Sequence, residues 1–178
     1  VEAVVSMHAR QLADIRFKEQ MFSALVSLCF IGCISFKDED AKSKDYKYKA
    51  PPEPWEQVDS GSSDIAFQFP ADRAIMGVNS VCDQYQKQSL EDLIKNFTSG
   101  ISEQKILKSE KLMISGFPAV KTIIEGTLDG SAFRLGFAVM RSERCVYDVS
   151  LVSKLGLFDE HERTFDAFVK SLQEGEKP

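Results

Sequence analysis

The order of apolar and polar positions changes period several times along the chain. Ile65, Phe67 and Phe69 alternate until Pro70 stops the run, which predicts a half-buried strand. Ala74–Cys82 is a second strand, with Met76, Val78, Ser80 and Cys82 on one face. The spacing then becomes helical: Leu90, Leu93, Ile94, Phe97 and Ile101 form one apolar stripe facing a sheet. Ser89 with Asp92 three residues on supplies the capping box, the shorter Asp standing in for Glu, and Gly100 marks the helix end.

Strands fill the middle. Ile106–Ile114 runs into a Gly116-Phe-Pro118 turn, and the β-branched stretch Ala119–Leu128 ends at Asp129-Gly130, a tight hairpin into Ala132–Met140. After the polar turn Arg141–Arg144, alternation at Cys145, Tyr147, Val149 and Leu151 predicts a strand to Ser153. A closing helix from about Glu160 to Gln173 turns Phe165, Phe168, Val169 and Leu172 inward. The order β-β-α-β-β-β-β-α predicts an α+β domain over residues 57–175. Consecutive hairpins make its twisted sheet of about six strands mostly antiparallel, flanked by two main helices.

Upstream the pattern is of another kind. Arg10, Arg16 and Lys18 precede the uncharged run Met21–Gly32, and dense charge follows from Lys37 to Lys47. A basic flank, an apolar core of about 12 residues and a small residue before a cut site is the layout of an export signal. The run is too short for a spanning helix, which takes about 20 residues. The competing readings are a buried element of the domain over Met21–Phe36 and a plain cleaved signal. Translation from Val1 or Met7 would each preserve basic residues of the flank, whereas a start at Met21 would remove them all.

Phe30-Ile31-Gly32-Cys33 resembles the lipobox of bacterial lipoproteins, with Phe30 where Leu is usual. Cys29, preceded by bulky Leu28, fits the pattern less well. The resemblance implies a signal peptide over residues 1–32 and a lipidated Cys33. Residues 33–56 then form a tether: Lys37–Tyr48 alternates acids and lysines, and Ala50-Pro-Pro-Glu-Pro-Trp55 stiffens it. Trp55 closes the tether as an apolar plug at the core edge, with ligand stacking the alternative.

The element order also resembles the PsbP-like fold, carried by Ile65-Ala-Phe-Gln-Phe-Pro70, the Ser89–Ile101 helix, the meander from Gly116 to Ser153, and the final helix. Many members of that superfamily are secreted or lipid-anchored and without known catalysis. Asn79-Ser-Val-Cys82 and Cys145-Val-Tyr-Asp148 are similar to a pair of segments in small bacterial lipoproteins of unassigned role.

Charge and chemistry narrow the function classes. With 22 Lys and Arg against 27 Asp and Glu the net charge is −5, which argues against a protein built to grip nucleic acid. The segment before Cys33 holds as many acids as bases, so its removal leaves that charge unchanged. Cys82 and Cys145 fall on predicted strands where they could face one another. In an oxidising envelope an even pair is a disulfide candidate, worth about 4 kcal/mol, with two buried free thiols or a reactive thiol as the alternatives.

His161 is the imidazole that remains after export, and its acidic neighbours Asp159, Glu160 and Glu162 place it on a solvated helix start. No nucleophile elbow, glycine-rich phosphate loop or metal-ligand spacing is present, so no cofactor and no enzymatic activity are expected. Asp148 and Glu125 are expected to pair across the sheet with Arg134 or Arg144. The sequon at Asn96-Phe-Thr98 falls within a helix and is discounted.

The expectation is a lipid-anchored envelope protein whose domain binds a protein partner or a small apolar ligand. With Ile34 and Ser35 after the cysteine, and no Asp, the site in a diderm would be the outer membrane facing the periplasm. The alternatives are a structural subunit of an envelope assembly and a hydrolase built on carboxylates or Tyr147.

Overall fold

A computed structural model describes residues 46–61, 63–128 and 130–174. The alternating segments become strands β3 (Ile65–Phe69), β4 (Ala74–Cys82), β6 (Phe117–Leu128), β7 (Ser131–Arg141) and β8 (Cys145–Ser153). Three further strands are β1 (Tyr46–Lys47), β2 (Glu56–Val58) and β9 (Gln173–Glu174), and β5 spans Ser102–Ile114. The helices are α1 (Leu90–Phe97) and α2 (Phe158–Ser171). The large sheet has seven strands in the order β2-β3-β4-β8-β7-β6-β5, every neighbour antiparallel. The seventh strand is β2, whose three residues carry no alternation long enough to read from sequence. The architecture is therefore α+β, with one more strand in the sheet than expected.

Two meanders build this sheet. One is β2-β3-β4, the other β5-β6-β7-β8, and they meet only where β4 lies against β8. The turns are short. Ser115 and Gly116 join β5 to β6 with φ of 50° and 86°, the left-handed pair that suits a two-residue hairpin. Asp72 accepts the backbone N–H of Ala74 to close the β3–β4 turn.

The helices cover opposite faces. On one face Phe158, Phe165, Phe168 and Val169 of α2 pack with Met76, Val78, Tyr147, Val149 and Leu151. On the other, Leu90, Leu93 and Ile94 of α1 pack with Phe133, Leu135, Phe137 and Val139. The expected capping box forms: the Asp92 N–H donates to Ser89 Oγ at 3.0 Å. Gly136 is required where α2 crosses β7, because a Cβ there would meet Phe165 at 2.9 Å and Phe158 at 3.0 Å.

Two boundaries move. Helix α2 begins at Phe158 and not near Glu160, because the fully buried Phe158 ring anchors its first turn. Among the described residues the packing extends back to Tyr46, within the expected tether. Tyr46 and Tyr48 join the α2-side core, Tyr48 meeting Phe67 and Phe168, and β1 pairs with β9. Residues 49–55 then lead to the buried Trp55. Residues 1–32 and Cys33 lie outside the described residues.

Candidate binding surface at the join of the two meanders

The β4–β8 ladder brings together the two segments singled out in the sequence. Its last four rungs are Asn79 opposite Asp148, Ser80 opposite Tyr147, Val81 opposite Val146, and Cys82 opposite Cys145. The cysteines close a disulfide between the last residue of β4 and the first of β8. Strand alternation sends Ser80, Cys82, Cys145 and Tyr147 to the α2 face, and Asn79, Asp148 and Ser150 to the α1 face.

Polar groups are buried here where a sheet interior would ordinarily be apolar. Asn79 Nδ2 donates to Asp148 Oδ1 at 3.2 Å, with both residues almost fully covered. Ser80 Oγ donates to Asp64 Oδ2 at 2.6 Å. Tyr46 meets Tyr147 edge-on, ring centroids 5.6 Å apart. Burial pushes the Tyr46 hydroxyl far above its ordinary range, and the Asp64 charge, then Tyr48, Tyr147 and Asp148, add to this. Tyr46 therefore keeps its proton.

A loop seals the end of the ladder. The Asp83 N–H donates to the Arg144 carbonyl at 2.8 Å, and Gln86 Nε2 donates to the same carbonyl at 2.6 Å. Arg144 returns an ion pair to Asp83 at 2.9 Å, which holds the Asp83 carboxyl below its usual range through that hydrogen bond. The Arg141 guanidinium donates to the carbonyls of Tyr85 and Gln88. In the β7–β8 turn, Ser142 Oγ receives the Cys145 N–H and donates to Glu174 of β9 at 2.7 Å.

Of the residues expected to matter, the structure joins Cys82 to Cys145 and Glu125 to Arg134, the latter at 2.6 Å. Arg134 also reaches Asp159 at 2.7 Å and lies 5.6 Å from the Phe158 ring centre. Three expectations need correction. Asp148 faces Asn79 and not an arginine, because the register sets the amide opposite it. Arg144, in the turn, pairs with Asp83.

His161 is buried and not solvated: it points from α2 onto Asp72 at 2.6 Å, between the rings of Trp55 and Phe69. Its acidic sequence neighbours hid this, since on a helix only residues three or four apart share a face. Trp55 is the core-edge plug expected of it. Asn96 lies in α1 and donates to Gln88 Oε1.

Lys121 gave no signal in the sequence beyond being a charge inside a strand. It is buried and ringed by Asp166 at 2.6 Å, Glu110 at 3.3 Å and Glu162 at 3.6 Å. Burial works against its charge, but Asp166 and Glu110 outweigh it and its pKa is raised.

The arrangement offers a set of buried hydrogen-bonding groups. Ser80 is bonded to a carboxylate, while the buried imidazole serves Asp72 at the far end of the β3–β4 hairpin. Among the described residues no cluster of His, Cys, Asp and Glu could hold a metal ion, and no helix is long and apolar enough to cross a membrane. Edge strand β5 carries Ile106, Leu107 and Met113, three of the four large apolar residues exposed among the described residues.

No family model and no curated protein matches the chain. Solved structures do. LpqN of Mycobacterium tuberculosis, involved in cell envelope biogenesis, matches at a TM-score of 0.59 and 8% identity, over 74% of this chain and 84% of LpqN. The cyanobacterial PsbP (CyanoP) of Synechocystis matches at 0.53 and 14%, over 84% of this chain and 98% of CyanoP. A Pseudomonas aeruginosa protein of unknown function matches at 0.54 and 15%, over 75% and 99%. At these identities the likeness is one of fold: the chain has the PsbP-like fold.

Proposed function

We propose that the protein is a lipid-anchored, non-catalytic component of a bacterial cell envelope, held through Cys33, whose PsbP-like domain binds a protein partner. One observation carries this reading: a lipobox-like Phe30–Cys33 precedes, by a short charged spacer, a domain with the fold of LpqN, itself an envelope-biogenesis protein. Two acyl signals or one diacylglycerol would hold such a domain at the membrane, each buried methylene contributing about 0.8 kcal/mol. The exposed Ile106, Leu107 and Met113 of edge strand β5 supply the partner-facing surface. A small apolar ligand is the second occupant in view, and in a diderm the outer membrane is the proposed site.

The test is metabolic labelling with an alkyne fatty acid in a bacterial host. Wild-type protein should take the label and partition with membranes, and Cys33→Ser should do neither. Unlabelled wild-type protein ends the reading.

A further inference from the structure

We propose that the outer edge of β5 joins two copies of this chain: the strands pair antiparallel about a two-fold axis at Ser109 and run the two sheets into one. The inference rests on the reading above that β5 faces a protein partner, and it names that partner as a second copy.

Among the described residues β5 is bonded to β6 on one side and no strand lies on the other, so it presents a backbone edge for strand addition. The opposite edge of the sheet, β2, is three residues long. Strand β5 has thirteen, with Ile106, Leu107 and Met113 exposed along it. Edge strands are commonly guarded by lysines whose charges repel a neighbour. Of Lys105, Lys108 and Lys111, two are answered within the chain, Lys108 by Glu110 at 3.1 Å and Lys111 by Glu91 at 2.8 Å.

The charge pattern selects both the partner and the register. A two-fold axis normal to the sheet keeps each face continuous, so it must pass where a residue meets its own copy. Register with β6 is regular from Lys108 to Ile114, after shifts between Ser102 and Lys105 and between Ile106 and Lys108. An axis at Lys108, Glu110 or Lys111 sets like charges face to face. An axis at Leu112 or beyond leaves only the end of the strand overlapping.

An axis at Ser109 sets Lys108 opposite Glu110 of the second copy, and Glu110 opposite that copy's Lys108. Both side chains lie on the face of the sheet that carries Lys121. The four charges then alternate in sign around a square, while Ser109 lies exposed at the axis. Outside them the regular half of one strand meets the bulged half of the other, which brings Leu112 and Met113 beside Ile106 and Leu107.

Cysteine cross-linking of the purified full chain tests this. Facing residues of an antiparallel pair have Cα atoms about 5 Å apart, within the range that a disulfide spans. Ser109→Cys should therefore cross-link to its own copy under mild oxidation. Lys105→Cys and Met113→Cys should not, each lying roughly 25 Å from its counterpart in this register. Lys108→Glu, added to Ser109→Cys, sets acid against acid and should cut the yield at least about fivefold. The chain without an added cysteine is the baseline for its native thiols.

No cross-link at 109, equal yields at the three positions, or a yield indifferent to Lys108→Glu overturns the proposal. Should Ser109→Cys fail to fold, sedimentation equilibrium decides: the unsubstituted chain must dimerise, and Lys108→Glu must weaken the dimer at least about fivefold. The cross-link needs no membrane, so failure of fatty-acid labelling would remove the anchor and leave the pairing standing. A labelled protein that does not cross-link keeps the anchor and loses the pairing.

Discussion

Substituting Asn79→Asp places two carboxyl groups opposite each other in a dry part of the sheet. The present amide donates to Asp148 Oδ1 at 3.2 Å, and its replacement cannot do so without carrying a proton. Burial together with the facing carboxylate raises the pKa of one of the pair by about 3 units, so one proton should leave the folded variant only near pH 7. In the unfolded chain it leaves near pH 3.9. The folded pKa is thus raised: between those values the folded state holds one proton more than the unfolded state, and stability falls as pH rises.

Below about pH 4 both states are protonated and the variant should lie close to the wild type. Above that it should lose about 1.4 kcal/mol per pH unit relative to wild type, reaching a deficit of about 4 kcal/mol near pH 7. Urea denaturation at a series of pH values, with the disulfide intact, measures the difference directly. A deficit that stays constant from pH 4 to pH 7 would refute the reasoning, because it would mean that water reaches the pair and screens it.

Gly136→Ala sets a methyl at 2.9 Å from Phe165 and 3.0 Å from Phe158, two fully buried rings without room to retreat. A loss of about 1–3 kcal/mol is expected in thermal or urea unfolding, against less than about 0.5 kcal/mol for Gly156→Ala, whose site is open. Equal effects would show that α2 can shift off β7. His161→Ala leaves the largely covered Asp72 carboxylate without its imidazole partner and should cost about 2 kcal/mol. Trp55 is the single tryptophan and its ring lies 5.3 Å from the imidazole, so its fluorescence follows the unfolding and the local change together; a cost under about 1 kcal/mol would contradict the burial argument.

Periodicity carried most of the architecture because each long strand has one apolar face and the two helices each present one stripe. Strand β5 was found only from Ile106 onward, since its first residues are exposed on both faces and leave no alternation to detect. It is also bulged between Ser102 and Lys105 and between Ile106 and Lys108, which breaks the period of two where it would have shown. The short strands β1, β2 and β9 are held by tertiary pairing and not by local preference. Composition was a poor guide here: the Pro-rich stretch after Lys47 looks like a spacer, but Trp55 is a core residue and Tyr46 and Tyr48 pack against the core.

The ladder was half legible. Alternation put Cys82 and Cys145 on strands and allowed them to meet, but the register that sets Asn79 against Asp148 depends on how β4 finds β8. Those strands are separated by three intervening strands and a helix. His161 and Lys121 were invisible as buried polar groups for the same reason, since their partners Asp72 and Asp166 lie 89 and 45 residues away.

The pairing of Tyr46 with Glu174 makes the described chain very nearly a closed ring. Facing residues in an antiparallel pair stand only about 5 Å apart, so a linker of a few residues could join the two ends without disturbing a strand. The natural break in the chain would then be one choice among several. Circular permutants opened at the exposed Gly130 hairpin or at Gly156 would keep every rung of the β4–β8 seam. In the native connectivity, a chain held from its amino-terminal side is gripped beside β9, the last described strand. Among the described residues, a pull from that side falls first on two residue pairs, Tyr46–Glu174 and Lys47–Gln173.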